Sequence, residues 1–140
     1  MSPVDARMPL FPRSHGARLI SLREEEPPND AVVVVRAGLM RLEIVRRAAS
    51  DAHEALGFHT VSVYLALNEP VEVLCRREPR LNRYRRVRLS AVGRLRRAGF
   101  ALIPTFSLPH YSIVFPDLAD PTLQRLEAAF DPPVPNPGRA

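Results

Sequence analysis

Ala31-Val-Val-Val-Val-Arg36 is an unbroken β-branched run with no polar alternation. A strand of this composition suits a sheet whose two faces are both covered. Gly38 interrupts the run, and the spacing of the apolar residues changes after it. The stretch therefore predicts a buried strand, and the elements that follow it determine how the sheet is completed.

A helix and a second strand follow this run. Apolar residues recur at spacings of three and four, the period of an amphipathic helix, at Leu42, Val45, Ala49, Ala52 and Leu56. Gly57 is well placed to end that helix. Thr60–Leu67 then alternates, with Ser62 and Tyr64 on the side opposite the valines, and this predicts a strand.

The remaining elements are shorter and continue the alternation of helix and strand. Pro70 suits the first turn of a short helix that ends at Glu78–Pro79. The later predictions are a strand at Tyr84–Leu89, a helix at Ala91–Ala98 capped by Ser90, two strands joined as a hairpin at Phe100–Thr105 and Tyr111–Phe115, and a helix with Asp120 as its N-cap.

This order predicts an α/β fold, a single domain with a mixed, mostly parallel sheet, flanking helices and a C-terminal hairpin. The alternative is an α+β, ferredoxin-like arrangement. We expect the domain to span residues 30–130. Residues 1–29 are expected to form a flexible lead-in, with an optional edge strand at Arg18–Leu22, and residues 131–140 a Pro-rich tail.

Length and composition exclude several classes of protein. At 140 residues and 15.7 kDa the chain is long enough for one domain. It has no apolar run that could span a membrane, and its first residues lack the apolar segment of a signal peptide. We therefore expect a cytoplasmic protein without a membrane partner. Cys75 is the single cysteine, which excludes an internal disulfide.

The basic residues are concentrated in one segment. All 20 of them are Arg, a bias that fits a G+C-rich bacterial genome. Residues 76–97 contain ten of these arginines and one acid, Glu78, so the segment carries a net charge of +9 whereas the rest of the chain carries −4. Codon bias explains the choice of Arg over Lys, but it does not explain why acids avoid this segment. The clustering predicts an anionic partner.

The predicted nucleic-acid-binding residues come from this segment: Arg83, Tyr84, Arg85, Arg86, Arg88, Arg94 and Arg97. Strand alternation places Arg86 and Arg88 on one exposed face, and helical spacing places Arg94 and Arg97 together. A guanidinium group donates two hydrogen bonds to one phosphate, and Tyr84 offers a ring to a base. An acidic protein is the alternative partner, because charge patterning indicates association without identifying the partner.

His110 and Tyr111 are the candidate catalytic residues. A histidine near a basic face suits general acid–base catalysis on RNA, because its pKa lies near neutrality. Tyr111 and nearby arginines would then orient the phosphate. The competing interpretation is structural, with His110 as a hydrogen-bonded turn residue and Tyr111 as a core residue.

No metal or cofactor is expected from the motifs. The spacing of His53, Glu54 and His59 differs from the His-Glu-x-x-His pattern of zinc proteases. The sequence contains neither a Gly-rich phosphate loop nor the Gly-x-Ser-x-Gly motif of α/β-hydrolases. No pair of acids falls at the predicted strand ends, which argues against a metal-dependent nuclease.

Three stretches of the chain resemble a group of small hypothetical proteins from G+C-rich bacteria. They are Ser90-Ala-Val-Gly-Arg-Leu-Arg-Arg-Ala-Gly-Phe-Ala-Leu-Ile-Pro-Thr-Phe-Ser-Leu-Pro-His-Tyr111, Val32-Val-Val-Val-Arg-Ala-Gly38 and Pro135-Asn-Pro137. The resemblance covers roughly residues 30–137. No activity is established for the group, so the resemblance implies no catalytic residues. A place in a two-gene unit such as a toxin–antitoxin pair follows from it by analogy alone.

The sequence thus predicts a basic, nucleic-acid-associated protein, a component of a toxin–antitoxin or mobile-element system. One alternative is a protein-interaction subunit that binds an acidic partner. The other is a small metal-independent RNA-processing enzyme. The oligomeric state is left open.

Overall fold

The structure is a computed structural model that describes residues 26–57 and 59–139, without the side chains of Ala55 and Leu56. The optional strand at Arg18–Leu22 and most of the predicted lead-in lie outside these residues. The described strands are β1 Val32–Arg36, β2 Thr60–Ala66, β3 Arg86–Ala91, β4 Ala101–Pro104, β5 His110–Val114 and β6 Val134–Pro135. The described α-helices are α1 Leu42–Leu56, α2 Val71–Arg77, α3 Pro79–Asn82, α4 Val92–Arg97 and α5 Asp120–Ala128. None of these helices is long and apolar enough to cross a membrane.

The six strands form one sheet in the order β4-β5-β2-β1-β3-β6. Every neighbouring pair in it is antiparallel. The prediction of a mostly parallel α/β sheet is therefore wrong, and the fold is of the α+β class. The alternative arrangement named the right class, but the six-stranded order differs from the β-α-β-β-α-β order of ferredoxin-like folds.

The connection from β1 to β2 misled the prediction because of where it delivers the chain, whereas β2, β3 and β4 run in the same direction and are separated by β1 and β5. Val34 pairs with Tyr64 and Val32 with Ala66, so β2 begins at the end of the sheet where β1 finishes. Helix α1 covers the sheet between these two points and does not carry the chain back to the opposite end. A parallel crossover requires that return. The alternation of elements indicates their order but not this direction.

The larger core lies on one face of the sheet, called here the main face, which is covered by α1, α4 and α5. The buried side chains that meet there include Val33, Val35, Val63, Leu65 and Ile113 from the strands and Val45, Leu95, Leu123 and Leu126 from the helices. The predicted apolar stripe of α1 is confirmed at Val45 and Ala49. Gly57 ends this helix in the left-handed region, at φ 91°, as its position predicted.

The opposite face of the sheet, called here the second face, has a smaller core and is covered unevenly. Helices α2 and α3 bring Leu74, Cys75 and Leu81 onto Val34 and Val87. Further along the same face, toward β5, Ser62 of β2 is exposed. The second face therefore combines a packed side near β1 and β3 with an open side near β5.

Helix α3 was not predicted, although its residues carry a recognisable start. Glu78 is its N-cap. The side-chain oxygen of Glu78 accepts a hydrogen bond from the backbone N–H of Arg80 at 3.3 Å. Pro79 occupies the first turn, where its missing N–H costs nothing. The proline that ends α2 thus also begins α3, and this places Arg80 and Arg83 above the second face.

The Pro-rich segment 131–139 packs on the domain. β6 pairs with β3, and Asn136 is 3% exposed. The side-chain amide of Asn136 donates to the carbonyl oxygens of Leu81 and Tyr84, each at 2.8 Å. A Cβ on Gly138 would lie 2.5 Å from the carbonyl carbon of Cys75 and the nitrogen of Arg76, so the segment packs directly against the backbone of α2. The segment therefore links β3 to the residues between α3 and β3 and stabilises their positions.

Candidate functional site

Arg88 is the least exposed of the predicted nucleic-acid-binding arginines, at 7%. Its Nε donates to the carbonyl oxygen of Asp131 at 2.7 Å, and its Nη1 to Glu127 Oε2 at 2.7 Å. Its Nη2 donates to the carbonyl oxygens of Glu127 and Phe130. Those oxygens belong to the C-terminal end of α5, where helical carbonyls lack intrahelical partners. The prediction that Arg88 is exposed is therefore wrong, because its side chain is buried and hydrogen-bonded to the C-terminal end of α5.

Arg86 and Arg94 also hold the chain that follows α5. Arg94 forms a salt bridge with Asp131 at 2.7 Å, and Arg86 donates to the carbonyl oxygen of Pro133 at 3.0 Å. Arg96 pairs in the same way with Glu26, at 3.1 Å. The arginines of the Arg76–Arg97 segment therefore do not all have the same role, because several of them are engaged in contacts within the domain. Arg85 and Arg97 are exposed, and Arg97 lies on α4, on the main face.

Arg83 and Tyr84 lie together above the second face. The guanidinium carbon of Arg83 is 5.2 Å from the centre of the Tyr84 ring. Arg36, at the end of β1, approaches the same ring to 5.4 Å. Both distances are typical of cation–π contacts. Tyr84 therefore joins two arginines that are far apart in the sequence.

These residues line a groove of about 560 Å³ that opens on the second face and also reaches Leu39 and, on α1, Ala48 and Ala52. Pockets for small ligands generally enclose about 300–1,000 Å³. Ser62, Tyr64 and Ser112 form its floor, on strands β2 and β5. Its other lining residues are Arg36, Leu39, Ala48, Ala52, Thr60, Val61, Arg80, Leu81, Arg83, Tyr84 and Phe106. Because β2 lies between β5 and β1, Phe106 from the β4–β5 loop and the residues after α3 approach the floor from two sides.

The groove is electropositive. Arg36, Arg80 and Arg83 line it, and none of the described lining residues is acidic. Within residues 26–57 and 59–139 these three arginines form no salt bridge with a carboxylate. Burial raises the pKa of Tyr64 on the floor, a hydrogen bond and the charge of Arg80 act in the opposite direction, and the nearby charge of Glu78 raises it to a smaller extent. Arg80 and Tyr64 line the groove together, and the arrangement suits an anion.

His110 lies beneath one wall of the groove in a network of hydroxyl groups. Its Nδ1 is 2.7 Å from Thr105 Oγ1, which in turn is 2.9 Å from Ser112 Oγ. Its Nε2 is the one buried side-chain nitrogen or oxygen of the described residues without a hydrogen-bond partner. Burial lowers the pKa of His110 to about 4, and the charge of Arg80 acts in the same direction, so the ring is neutral near pH 7.

The structure separates the two candidate catalytic residues. His110 pairs with Tyr64 across β2 and β5, and both side chains lie on the second face. Tyr111 points the other way, is 2% exposed and belongs to the main-face core. Catalysis by His110 with Tyr111 stays a prediction, and the two side chains do not share a face.

His53 and His59 form a stacked pair, with ring centres 4.4 Å apart. Within the described ranges no group of three His, Cys, Asp or Glu residues could hold a metal ion. Cys75 on α2 is fully buried next to the C-terminal segment, and burial raises the pKa of its thiol to about 11. Neither the histidine pair nor the thiol is placed at the groove.

Arg83 and Tyr84 were predicted from the sequence, whereas Arg36, Arg80 and Phe106 were not. The alternation of β2 did place Ser62 and Tyr64 on the side opposite the core valines, and the structure has them there. The pairing that sets Tyr64 against His110 joins residues 46 positions apart, and no local pattern indicates it. The groove is therefore a product of tertiary structure.

No protein-family model matches the chain, and comparison with curated proteins and with solved structures gave no significant match.

Proposed function

We propose that the protein binds nucleic acid through the groove on the second face. The observation that carries the proposal is the meeting at one groove of aromatic residues with Arg36, Arg80 and Arg83, three arginines that pair with no carboxylate of the described residues. Guanidinium groups donate paired hydrogen bonds to phosphate oxygens. Aromatic rings stack on bases of any sequence. Both kinds of contact are available at the groove.

The geometry supports a different set of residues from the one expected from the sequence. Arg88, Arg94 and Arg86 contact the end of α5 and the chain that follows it, so we assign them to stability. Arg83 and Tyr84 keep the predicted role, and Arg36 and Arg80 join them. An acidic protein, the alternative partner predicted from the sequence, becomes one of the outcomes of the test.

Binding of a labelled single-stranded oligonucleotide across a range of salt concentrations tests the proposal. Each phosphate contact contributes about 0.7 to the slope of log K against log salt for single strands. The Arg80→Gln/Arg83→Gln variant should therefore bind more weakly and lower the slope by about 1.4. The matched control is Arg47→Gln/Arg97→Gln, which removes the same charge from exposed positions on α1 and α4.

The control separates a site from overall charge. We expect it to keep most of the wild-type affinity and salt slope. Equal losses in the two double variants would contradict a site at the groove, because the basic net charge of +5 would then explain the binding. No binding by the wild-type protein at low salt would reject the proposal and favour an acidic protein partner. Membership of a toxin–antitoxin or mobile-element system stays a prediction.

A further inference from the structure

We propose that Phe106 is a base-stacking residue and that the groove receives one unpaired base of a single-stranded nucleic acid. This inference rests on the proposed function and specifies its substrate class. Phe106 belongs to the loop between β4 and β5 and lines the groove. It lay outside the arginine-rich segment from which the sequence analysis drew its binding residues.

The backbone of Phe106 is in an unfavourable conformation. Its φ of 56° lies in the left-handed region, which residues with a Cβ seldom adopt and which Gly or Asn usually occupies. An aromatic residue there is strained, and such strain concentrates at functional sites. Glycine would adopt this backbone conformation with less strain. We therefore attribute the phenylalanine at this position to a role of its ring.

The ring is held in place while part of it stays accessible. Phe106 meets His110 edge to face, with ring centres 4.9 Å apart and an interplanar angle of 86°. His110 is itself fixed by Thr105 and is 4% exposed. Phe106 nevertheless remains 44% exposed. A large apolar ring supported from below and open to solvent in a basic groove suits a stacking partner.

The neighbouring groups fit the other parts of a nucleotide. Arg80 and Arg83 line the same groove and suit the phosphates. On the floor the hydroxyl group of Ser62 is exposed and can donate to or accept from a base edge. In a duplex each base is already stacked and paired, so a base can lie on Phe106 only when it is unpaired.

The test compares an oligonucleotide of about twelve residues with an abasic chain of the same length, since single-stranded sites span about 4–16 nucleotides. We expect the wild-type protein to bind the intact strand more tightly than the abasic chain and than the matching duplex. Phe106→Ala should weaken binding of the intact strand by about 5- to 140-fold, the usual effect of losing one stacking ring. Its affinity for the abasic chain should stay unchanged.

Two further variants guard against a general loss of structure. Phe106→Tyr keeps a stacking ring and should bind like the wild type. Leu108→Ala removes a similarly exposed apolar side chain, 41% exposed, from the same loop but outside the groove lining. It should leave both affinities unchanged.

The outcomes distinguish this inference from the proposed function. If Phe106→Ala leaves the affinity for the intact strand unchanged, or weakens both chains equally, the stacking role is wrong. If the wild type binds the two chains equally and Arg80→Gln/Arg83→Gln weakens both, the groove binds phosphates without a base site. Absence of binding to every chain would overturn both proposals.

Discussion

His110 lies between the rings of Tyr64 and Phe106, at centroid distances of 5.3 and 4.9 Å. Burial opposes its protonation, since a charged imidazole in this position would lose its hydration. Its Nδ1 is bonded to Thr105, and its Nε2 has no partner among the described residues. The residue is thus a neutral support for the groove near pH 7.

His110 should make stability depend on pH. Its folded pKa of about 4 lies below the ordinary value of 6.5, so between these pH values the unfolded chain takes up a proton that the folded chain does not. The free energy of unfolding should therefore fall as the pH drops through this window, by about 2.5 kcal/mol between pH 7 and pH 4.5. Urea unfolding of the wild type and of His110→Asn at both pH values measures this; equal pH dependence in the two proteins would refute it.

Arg88 should act on stability and not on binding. Arg88→Lys keeps the charge but loses the fork that reaches several carbonyl groups at the end of α5. We expect a loss of roughly 2–3 kcal/mol in the free energy of unfolding, the scale of hydrogen bonds to a charged group. Arg86→Lys is the control, since Arg86 is exposed and makes one such contact. Unfolding midpoints that are the same for both variants would contradict this role.

At the scale of elements, the C-terminal segment is the feature that composition described least well. Its prolines suggested an extended tail, yet Asn136 is buried and bonded to two carbonyl groups between α3 and β3. Those carbonyls belong to Leu81 and Tyr84, both of which line the groove. The segment therefore positions one wall of the proposed binding site from behind.

Gly138→Ala tests this packing. The new Cβ would meet backbone atoms of Cys75 and Arg76 at 2.5 Å, and backbone cannot move aside cheaply. We expect the segment to lift from α2, so that a thiol reagent labels Cys75 about tenfold faster, in line with a cost of about 1.4 kcal/mol in closing. Gly38→Ala is the matched control, because no atom lies within 4 Å of its added Cβ. Labelling of the Gly138 variant at the wild-type rate would show that the segment does not cover the thiol.

The elements themselves were largely predictable, and their pairing was not. The bounds of α1 and β2 follow from local periodicity, and Gly57 ends the helix as expected. Ser90 was expected to cap α4, but it lies within β3 and its hydroxyl donates to the carbonyl oxygen of Ala129 at 2.6 Å. That contact crosses 39 residues, and no local pattern contains such information. Which strands pair, and in which direction, depends on the same kind of long-range contact. The sequence pattern therefore could not distinguish an antiparallel from a parallel sheet.

At the scale of the whole molecule, the arginines divide between the two faces of the sheet. On the main face Arg88 and Arg94 are paired with Glu127 and Asp131. On the second face Arg36, Arg80 and Arg83 surround a groove whose described lining contains no acid. The run of charge in the sequence was therefore a useful pointer to an anionic partner but a poor guide to which arginines meet it.

The most direct test of the groove as the binding site is a map of the contacted residues. Backbone amide chemical shifts of the 15.7 kDa protein can be followed during titration with a single-stranded oligonucleotide. We predict that the largest changes fall on Ser62, Arg80, Arg83, Tyr84 and Phe106. Changes concentrated on the exposed faces of α4 and α5, or spread evenly over the arginines, would contradict the proposed site.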